Sequence, residues 1–280
     1  MPASKVKNIL ILILVLANIL LLSLAIPLRG QRARQQAETA AQLESLFARY
    51  GVSLDAFSLP ETRSLYTLEF SPGEDAALAA MRALLGEMVF IEEDSTRYLT
   101  TYRSEQGVCQ LSRGDTLDAR LRGRGAVGDL GRAAADELAC MGVETAFVSQ
   151  PQRSSAGVYT VTAVQRLLEV PVFSAAVSFT FHNGVPGRLT GTLYFDTAGL
   201  FRTDDAVCIS CADALVAFLD SRDELGWVGA AVTGVTQGYL RAETASAAVV
   251  RLTPGWRVAT DAGAYWVNGM TREVSAFPAG

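Results

Sequence analysis

Histidine and lysine are nearly absent from this chain of 280 residues. His182 is the one histidine, and Lys5 and Lys7 are the lysines among 24 basic residues. A nucleophile activated by histidine would have to use His182, which stands beside the Asn183-Gly184 turn with no catalytic partner nearby in the sequence. The Gly-x-Ser-x-Gly elbow, the His-Glu-x-x-His helix and the P-loop are also missing. The sequence therefore predicts no catalytic residue, metal site or cofactor, and we expect a protein that is not an enzyme.

One glycine-rich stretch fits a cofactor pattern without its context. Residues 123–128 read GRGAVG and match the dinucleotide-binding G-x-G-x-x-G. That pattern needs an apolar strand before it and an acid about twenty residues later. The preceding TLDARLR is polar, and the first acid that could serve is Glu144. We interpret the stretch as a flexible loop that leads into a helix.

The four cysteines allow three interpretations. Cys208 and Cys211 form a C-x-x-C ahead of a predicted helix, whose N-terminus would lower the pKa of a redox thiol. A four-cysteine zinc site would add Cys109 and Cys140, but these do not form a second C-x-x-C. The order of elements around Cys208 also differs from the βαβ unit of a thioredoxin. Buried thiols, or a local disulfide between Cys208 and Cys211, are therefore favoured.

Acidic residues are missing from the start of the chain, where the first is Glu38. The apolar segment 8–28 has no charge, and as a helix it would span roughly 30 Å, the thickness of a bilayer core. A cleaved signal peptide with Ser23-Leu24-Ala25 at its cleavage site is the alternative. The length of the run, and the three arginines that follow it, favour an uncleaved transmembrane anchor in the cell membrane.

Beyond that segment the charge is acidic. Without Lys5, Lys7, Arg29, Arg32 and Arg34, 19 of the 24 basic residues remain against 29 acidic ones, a net charge of about −10. Such a field repels polyanions, so we expect no nucleic-acid partner.

The remaining pattern predicts an α+β fold in which a transmembrane helix precedes repeated units of one helix and an antiparallel meander. Helical periodicity is expected over 31–50, 72–85, 130–141 and 211–219, with Ser71 capping the second stretch, Pro72 at its first helical position, and Ser210 capping the fourth. Gly51, Gly86, Gly142 and Gly226 are the expected stops, and strand-like residues follow the last three helices. The Asn183-Gly184 turn is the clearest hairpin signal. The predicted organisation is a tail over 1–7, an anchor over 8–28, a juxtamembrane helix or stalk over 29–50, and units over 51–126, 127–205 and 206–280.

The last hairpin is the stretch richest in tryptophan. It reads LTPGWRVATDAGAYWVNGMTREV and contains Trp256, Tyr265 and Trp266. Cross-strand aromatic pairs of this kind stabilise a sheet, so core packing is the favoured interpretation. A patch that faces a partner is the alternative.

Two motifs at the ends of the chain stand out together. The start reads Lys5-Val6-Lys7-Asn8-Ile9, and the end contains Leu252-x-Pro254-x-Trp256-Arg257-Val258 and Tyr265-Trp266-Val267-Asn268. In these motifs the chain resembles the YycH/YycI family of single-pass regulators of a two-component system that controls the cell wall. The Val170-Pro171-Val172-Phe173 strand and the Asn183-Gly184 turn add an internal match. The customary Thr-Gly-Glu near the end is Thr271-Arg272-Glu273 here, and 103–150 has no counterpart.

The resemblance implies a PepSY/YycI-like fold outside the membrane and a non-enzymatic role. The expected function is regulation of a sensor histidine kinase in cell-wall homeostasis, with the kinase or a sister regulator as the partner. An envelope thiol-disulfide protein that uses Cys208 and Cys211, and a structural envelope or sporulation scaffold, remain alternatives. The partner-contact candidates are Asn18, Leu22, Leu46, Trp256, Tyr265 and Trp266.

Overall fold

The computed structural model describes most of the chain beyond the apolar segment. The described residues are 14, 34–54, 59–71, 73–87, 89–113, 115–195, 197, 199–244 and 249–278.

Helix α1, described over 34–49, packs against the folded domain. Leu43 and Phe47 are four residues apart, lie on one helical face and are both buried. Gly51 adopts a φ of 71°, the left-handed conformation common just past a helix end. Over its described residues, the predicted stalk is therefore part of the domain.

Sixteen strands among the described residues form one hydrogen-bonded sheet. They are β1 (Ser53–Leu54), β2 (Leu68–Phe70), β3 (Phe90–Asp94), β4 (Leu99–Ser104), β5 (Gly107–Ser112), β6 (Thr116–Leu121), β7 (Thr145–Val148), β8 (Gln152–Ser155), β9 (Val158–Leu167), β10 (Val170–His182), β11 (Val185–Thr192), β12 (Phe201–Arg202), β13 (Ala231–Ala242), β14 (Val250–Thr260), β15 (Gly263–Asn268) and β16 (Val274–Ala276).

Three further helices are α2 (Glu74–Leu85), α3 (Leu130–Cys140) and α4 (Cys211–Asp220), which confirms the three predicted helices. Ser210 caps α4 as expected, because its hydroxyl accepts a hydrogen bond from the amide of Asp213. The expected Ser71 cap of α2 is wrong: Gly73 occupies the cap position and offers no side chain.

The sheet has two parts that share strand β10. The antiparallel part has the order β3-β4-β5-β6-β11-β10-β9, with β7 and β8 both paired to β9. The mixed part has the order β12-β2-β14-β13, and β15 and β16 extend from β14. Strand β13 runs parallel to β1 and to β10, where Val172 pairs with Tyr239. The predicted Asn183-Gly184 turn is confirmed, since β10 ends at His182 and β11 begins at Val185.

Each part of the sheet has its own hydrophobic core. Helices α2 and α3 cover the antiparallel part, where Met81, Leu138 and Phe179 are buried. Helices α1 and α4 cover the mixed part, whose core includes Phe218 and Trp256. The sheet is thus covered by helices in both parts, as expected when an amphipathic sheet must bury one face.

The prediction of separate helix-plus-meander units is wrong. Strand β2 pairs with β14, about 180 positions further along, and β6 pairs with β11 of the next predicted unit. The strands therefore form one large mixed sheet, in which long-range pairing joins segments that local periodicity had divided. The observed fold is therefore predominantly β, and the predicted α+β fold of repeated units is wrong.

The predicted membrane anchor is also corrected. In the part of the chain that the structure describes, no helix is both long and apolar enough to cross a bilayer. The single-pass membrane location and the extracytoplasmic assignment depended on such a helix, and the structure does not support them. Segment 8–28 itself lies outside the described residues, apart from Leu14.

Candidate functional site: an arginine row on the open face of the sheet

Four of the six partner-contact candidates from the sequence fall among the described residues. Asn18 and Leu22 lie outside the described residues. Leu46 is half-buried and packs against the core of the mixed part. It therefore belongs to the packing of α1 against its own domain.

Two aromatic candidates of the last hairpin, Trp256 and Trp266, are buried, and Tyr265 is half-buried. Trp256 is fully buried, and its indole Nε1 donates a hydrogen bond of 2.9 Å to the carbonyl of Ile209. Trp266 is buried beside Phe173, and Tyr265 packs against Phe218 with ring centroids 5.2 Å apart. Because these aromatic rings already make intramolecular contacts, the structure favours core packing over the alternative of a patch that faces a partner.

The cysteines are free thiols, and three of the four are buried: Cys109, Cys208 and Cys211. Burial raises the pKa of Cys211 to about 12 and also raises that of Cys208. The expected lowering by the N-terminus of α4 is therefore outweighed by desolvation. A thiol-disulfide enzyme needs an accessible thiolate, so this environment argues against that alternative. The Cys208–Cys211 disulfide is not formed in the structure.

The glycine-rich loop at 123–128 lies between β6 and α3, as a loop that leads into a helix. Strand β6 is antiparallel to both of its neighbours, β5 and β11. A dinucleotide fold needs parallel strands joined by a crossover helix at this place. The loop therefore lacks the surroundings of a phosphate-binding turn.

Sequence reasoning missed a row of side chains that crosses the antiparallel part. Arg103 on β4 pairs with Val108 on β5, which pairs with Arg120 on β6, and Arg120 pairs with Arg188 on β11. Because directly paired residues point to the same face of a sheet, the three arginines share one face. We call these residues the arginine row. Phe90 on the edge strand β3 pairs with Arg103 and extends the row.

The row lies on the face opposite to α2 and α3. Tyr102, Cys109 and Ala119 are buried under the helices, and their strand neighbours Arg103, Val108 and Arg120 point the other way. All three arginines of the row are exposed, and 72% of Phe90 is accessible to solvent. The row is therefore available to another molecule.

Charge in this row is incompletely neutralised. Arg188 binds Asp118 through two hydrogen bonds, Nε to Oδ1 at 2.9 Å and Nη2 to Oδ2 at 2.7 Å. This pairing lowers the pKa of Asp118 below its usual value. Among the described residues, Arg103, Arg120 and Arg122 form no ion pair with a carboxylate.

These three unpaired arginines surround a shallow groove. Val108, Gln110 and Asp118 complete its lining, and its volume is about 340 Å³. Neighbouring strands lie about 4.8 Å apart, so Arg103 and Arg120 stand roughly 10 Å apart on either side of Val108. The groove therefore presents two guanidinium groups to an anionic group placed between them.

Arg120 lies directly opposite Arg188 on the neighbouring strand, and the Asp118 carboxylate that Arg188 binds offsets part of the repulsion between the two guanidinium groups. Exposed arginine beside an exposed aromatic residue is the composition enriched at the centre of protein interfaces.

We also looked among the described side chains for a metal site and for the surroundings of the single histidine. Their histidine, cysteine and carboxylate groups form no cluster of three that could hold a metal ion. His182 is exposed at the end of β10.

Comparisons with known proteins do not assign a family: no protein-family model matches the chain, and no curated protein matches it. The resemblance to YycH/YycI regulators therefore rests on the quoted residues of the two ends and the internal hairpin.

Proposed function

We propose that this protein is a non-catalytic regulatory protein that acts by protein–protein contact, and that it binds an acidic surface of its partner through the arginine row. The resemblance of the chain ends makes a sensor histidine kinase, or a sister regulator of the same kind, the partner to test. The single observation that carries the proposal is the register that places Arg103, Arg120 and Arg188 on one exposed face.

The charge of the chain makes this row distinctive. The chain carries a formal net charge of −5, so a compact positive patch is not a consequence of overall composition. Surface charge pairs add modest affinity but strongly influence which partners associate and how fast. An acidic partner would pair with the guanidinium groups of Arg103 and Arg120, and Phe90 would supply apolar contact at the edge of the same surface.

The experiment measures kinase activity directly. Full-length histidine kinases from the organism that encodes the chain are purified, and their autophosphorylation is followed with and without this protein. We expect one kinase to change its rate, and we expect the effect to weaken as salt rises, because exposed charges are screened.

A double variant tests the surface. Arg103→Gln with Arg120→Gln should abolish the effect on that kinase. The matched control is Arg82→Gln with Arg132→Gln, which removes two exposed arginines from the helices on the opposite side of the sheet. The control should keep the effect. Folding should be unharmed in the double variant, since both side chains are exposed and surface substitutions of this kind usually change stability by about 0.5 kcal/mol or less.

Two results would refute the proposal. In the first, no kinase responds to the unaltered protein. In the second, the double variant and the control variant act alike.

A further inference from the structure

The antiparallel part of the sheet ends at strand β3, which has one neighbour. Among the described residues, β3 pairs with β4 alone. The other strands with a single partner are β1, β7, β8, β12 and β16. An edge strand presents backbone N–H and C=O groups on its outer side, and these groups can pair with another chain. Native sheets limit such pairing with short edge strands, bulges or charge, and these features distinguish the edges of this sheet.

Shortness or irregular pairing protects the other edges. Strands β1, β12 and β16 have two or three residues each. The register of β7 and of β8 against β9 is interrupted by a shift. Strand β3 has five residues, none of them proline, and pairs with β4 without a shift. Four of its five residues are exposed, so β3 is the longest and most regular of these edges.

The side chains of β3 are apolar at its start and acidic at its end. Phe90 is 72% exposed and Ile91 is 47% exposed, and the exposed Glu92 and Glu93 follow them. Neither glutamate belongs to an ion pair among the described residues. Asp94 differs, because its carboxylate already accepts hydrogen bonds within the β3–β4 turn. An added strand would therefore meet two apolar and two unpaired acidic side chains.

These four side chains alternate between the two faces of the sheet. Phe90 lies opposite Arg103 and stands on the open face together with Glu92. Ile91 and Glu93 stand on the other face. Each face of the edge thus offers one apolar and one acidic side chain to a neighbouring strand.

Charge decides which strand can pair with this edge. If a second copy added its own β3 in antiparallel register about Glu92, the two Glu92 carboxylates would lie opposite each other. Like charges in that position destabilise a sheet, whereas opposite charges stabilise it. The free carboxylates of Glu92 and Glu93 therefore oppose self-pairing and favour a strand that carries lysine or arginine.

We propose that β3 binds an extended basic segment of another protein, which adds to the sheet as an antiparallel strand. In strand addition the backbone hydrogen bonds supply affinity and the side chains supply specificity. Antiparallel addition continues the β3–β4 arrangement and is the more stable of the two pairings. In that direction the added strand meets Glu93 and Glu92 before Ile91 and Phe90. The recognised segment therefore reads basic-basic-apolar-apolar from its N-terminus to its C-terminus.

The test uses the full chain labelled with ¹⁵N and the peptide acetyl-Thr-Lys-Lys-Val-Val-Thr-amide, called the lysine peptide. In amide correlation spectra we expect saturable shifts centred on β3. Amide hydrogen exchange along β3 should become slower, because its outer N–H groups gain partners. The glutamate peptide, in which both lysines are replaced by glutamate, should bind at least about tenfold more weakly, since two favourable cross-strand pairs become two repulsive ones.

Two methylated forms of the lysine peptide test the backbone pairing. N-methylation of the first lysine and the first valine removes the N–H groups on one side of the extended peptide. N-methylation of the second lysine and the second valine removes those on the other side. An added strand bonds to β3 through one side only. One methylated peptide should therefore lose binding, and the other should keep it.

A charge exchange provides the matched control. Glu92→Lys with Glu93→Lys should abolish binding of the lysine peptide and create binding of the glutamate peptide. Glu38→Lys with Glu44→Lys makes the same change of net charge at exposed positions on α1, and it should leave the binding of both peptides unaltered. The double variant of the arginine row should not weaken binding of the lysine peptide, so this inference and the proposed function can fail independently.

The inference is overturned if the lysine peptide produces no saturable shifts at β3, or if the two methylated peptides bind alike. It is also overturned if the charge exchange on β3 has no more effect than the exchange on α1. Shifts at β3 that depend on protein concentration without any peptide would show that a second copy occupies the edge, and they would refute a basic partner.

Discussion

Replacement of Trp256 tests the core of the mixed part and the interpretation of the last hairpin as core packing. The residue is fully buried, and its Nε1 supplies a hydrogen bond to the carbonyl of Ile209, in the segment just before α4. Trp256→Ala should lower the free energy of unfolding by about 3–5 kcal/mol, because a large cavity forms. The loss of the donor also removes the hydrogen bond to the half-buried Ile209, which places the expected cost toward the upper end of that range.

Trp256→Phe separates the two contributions. It retains most of the apolar ring and removes the hydrogen bond, so we expect a smaller loss of about 1–3 kcal/mol. The assay is equilibrium urea unfolding followed by far-UV circular dichroism, since tryptophan fluorescence changes with the substitution itself. Phe90→Ala is the matched control: it also truncates an aromatic side chain, but at a site 72% exposed, and should cost less than about 0.5 kcal/mol.

The reasoning fails if Trp256→Ala unfolds at the same urea concentration as Phe90→Ala. That result would show that the indole contributes little to packing. If such a stable variant also lost the kinase response, Trp256 would belong to a partner surface after all.

Two further predictions follow from the buried titratable groups. Iodoacetamide at pH 8 should modify Cys140 alone in the native protein, because the other three thiols are buried. In urea without reductant it should modify all four cysteines, and intact mass counts the modified thiols. If only two thiols react in urea, Cys208 and Cys211 are bonded to each other. Burial raises the pKa of Glu137 in the folded protein, so the folded state binds this proton more tightly than the unfolded state does. The free energy of unfolding should therefore fall, relative to that of Glu137→Gln, as pH rises from about 4.3 through the raised pKa. A difference between the two proteins that does not change with pH would contradict the burial of this carboxyl group.

Local features were predictable from the sequence because they depend on neighbours along the chain. The spacing of apolar residues located α2, α3 and α4, and the Asn183-Gly184 pair located the β10–β11 hairpin. The glycine-rich loop was separated from a cofactor site by the character of the residues around it. Nothing beyond a few residues of context was needed for these predictions.

The division into units failed because strand pairing is not local. Residues 68–70 belong to the first predicted unit, yet they pair with 250–252 near the end of the chain. Hydrophobic alternation shows that a segment is a strand, but it does not show which strand lies beside it. The count and spacing of helices therefore suggested three units where the hydrogen bonds make one sheet.

The sequence by itself determined the helices, the turns, the acidic balance and the poverty of catalytic groups. Tertiary structure alone decided that Arg103, Arg120 and Arg188 meet on an exposed face, and that Cys211 is buried strongly enough to raise its pKa. The physical reason is that helical periodicity and turn geometry depend on covalent neighbours. Register, burial and electrostatic environment depend instead on contacts between residues far apart in the chain.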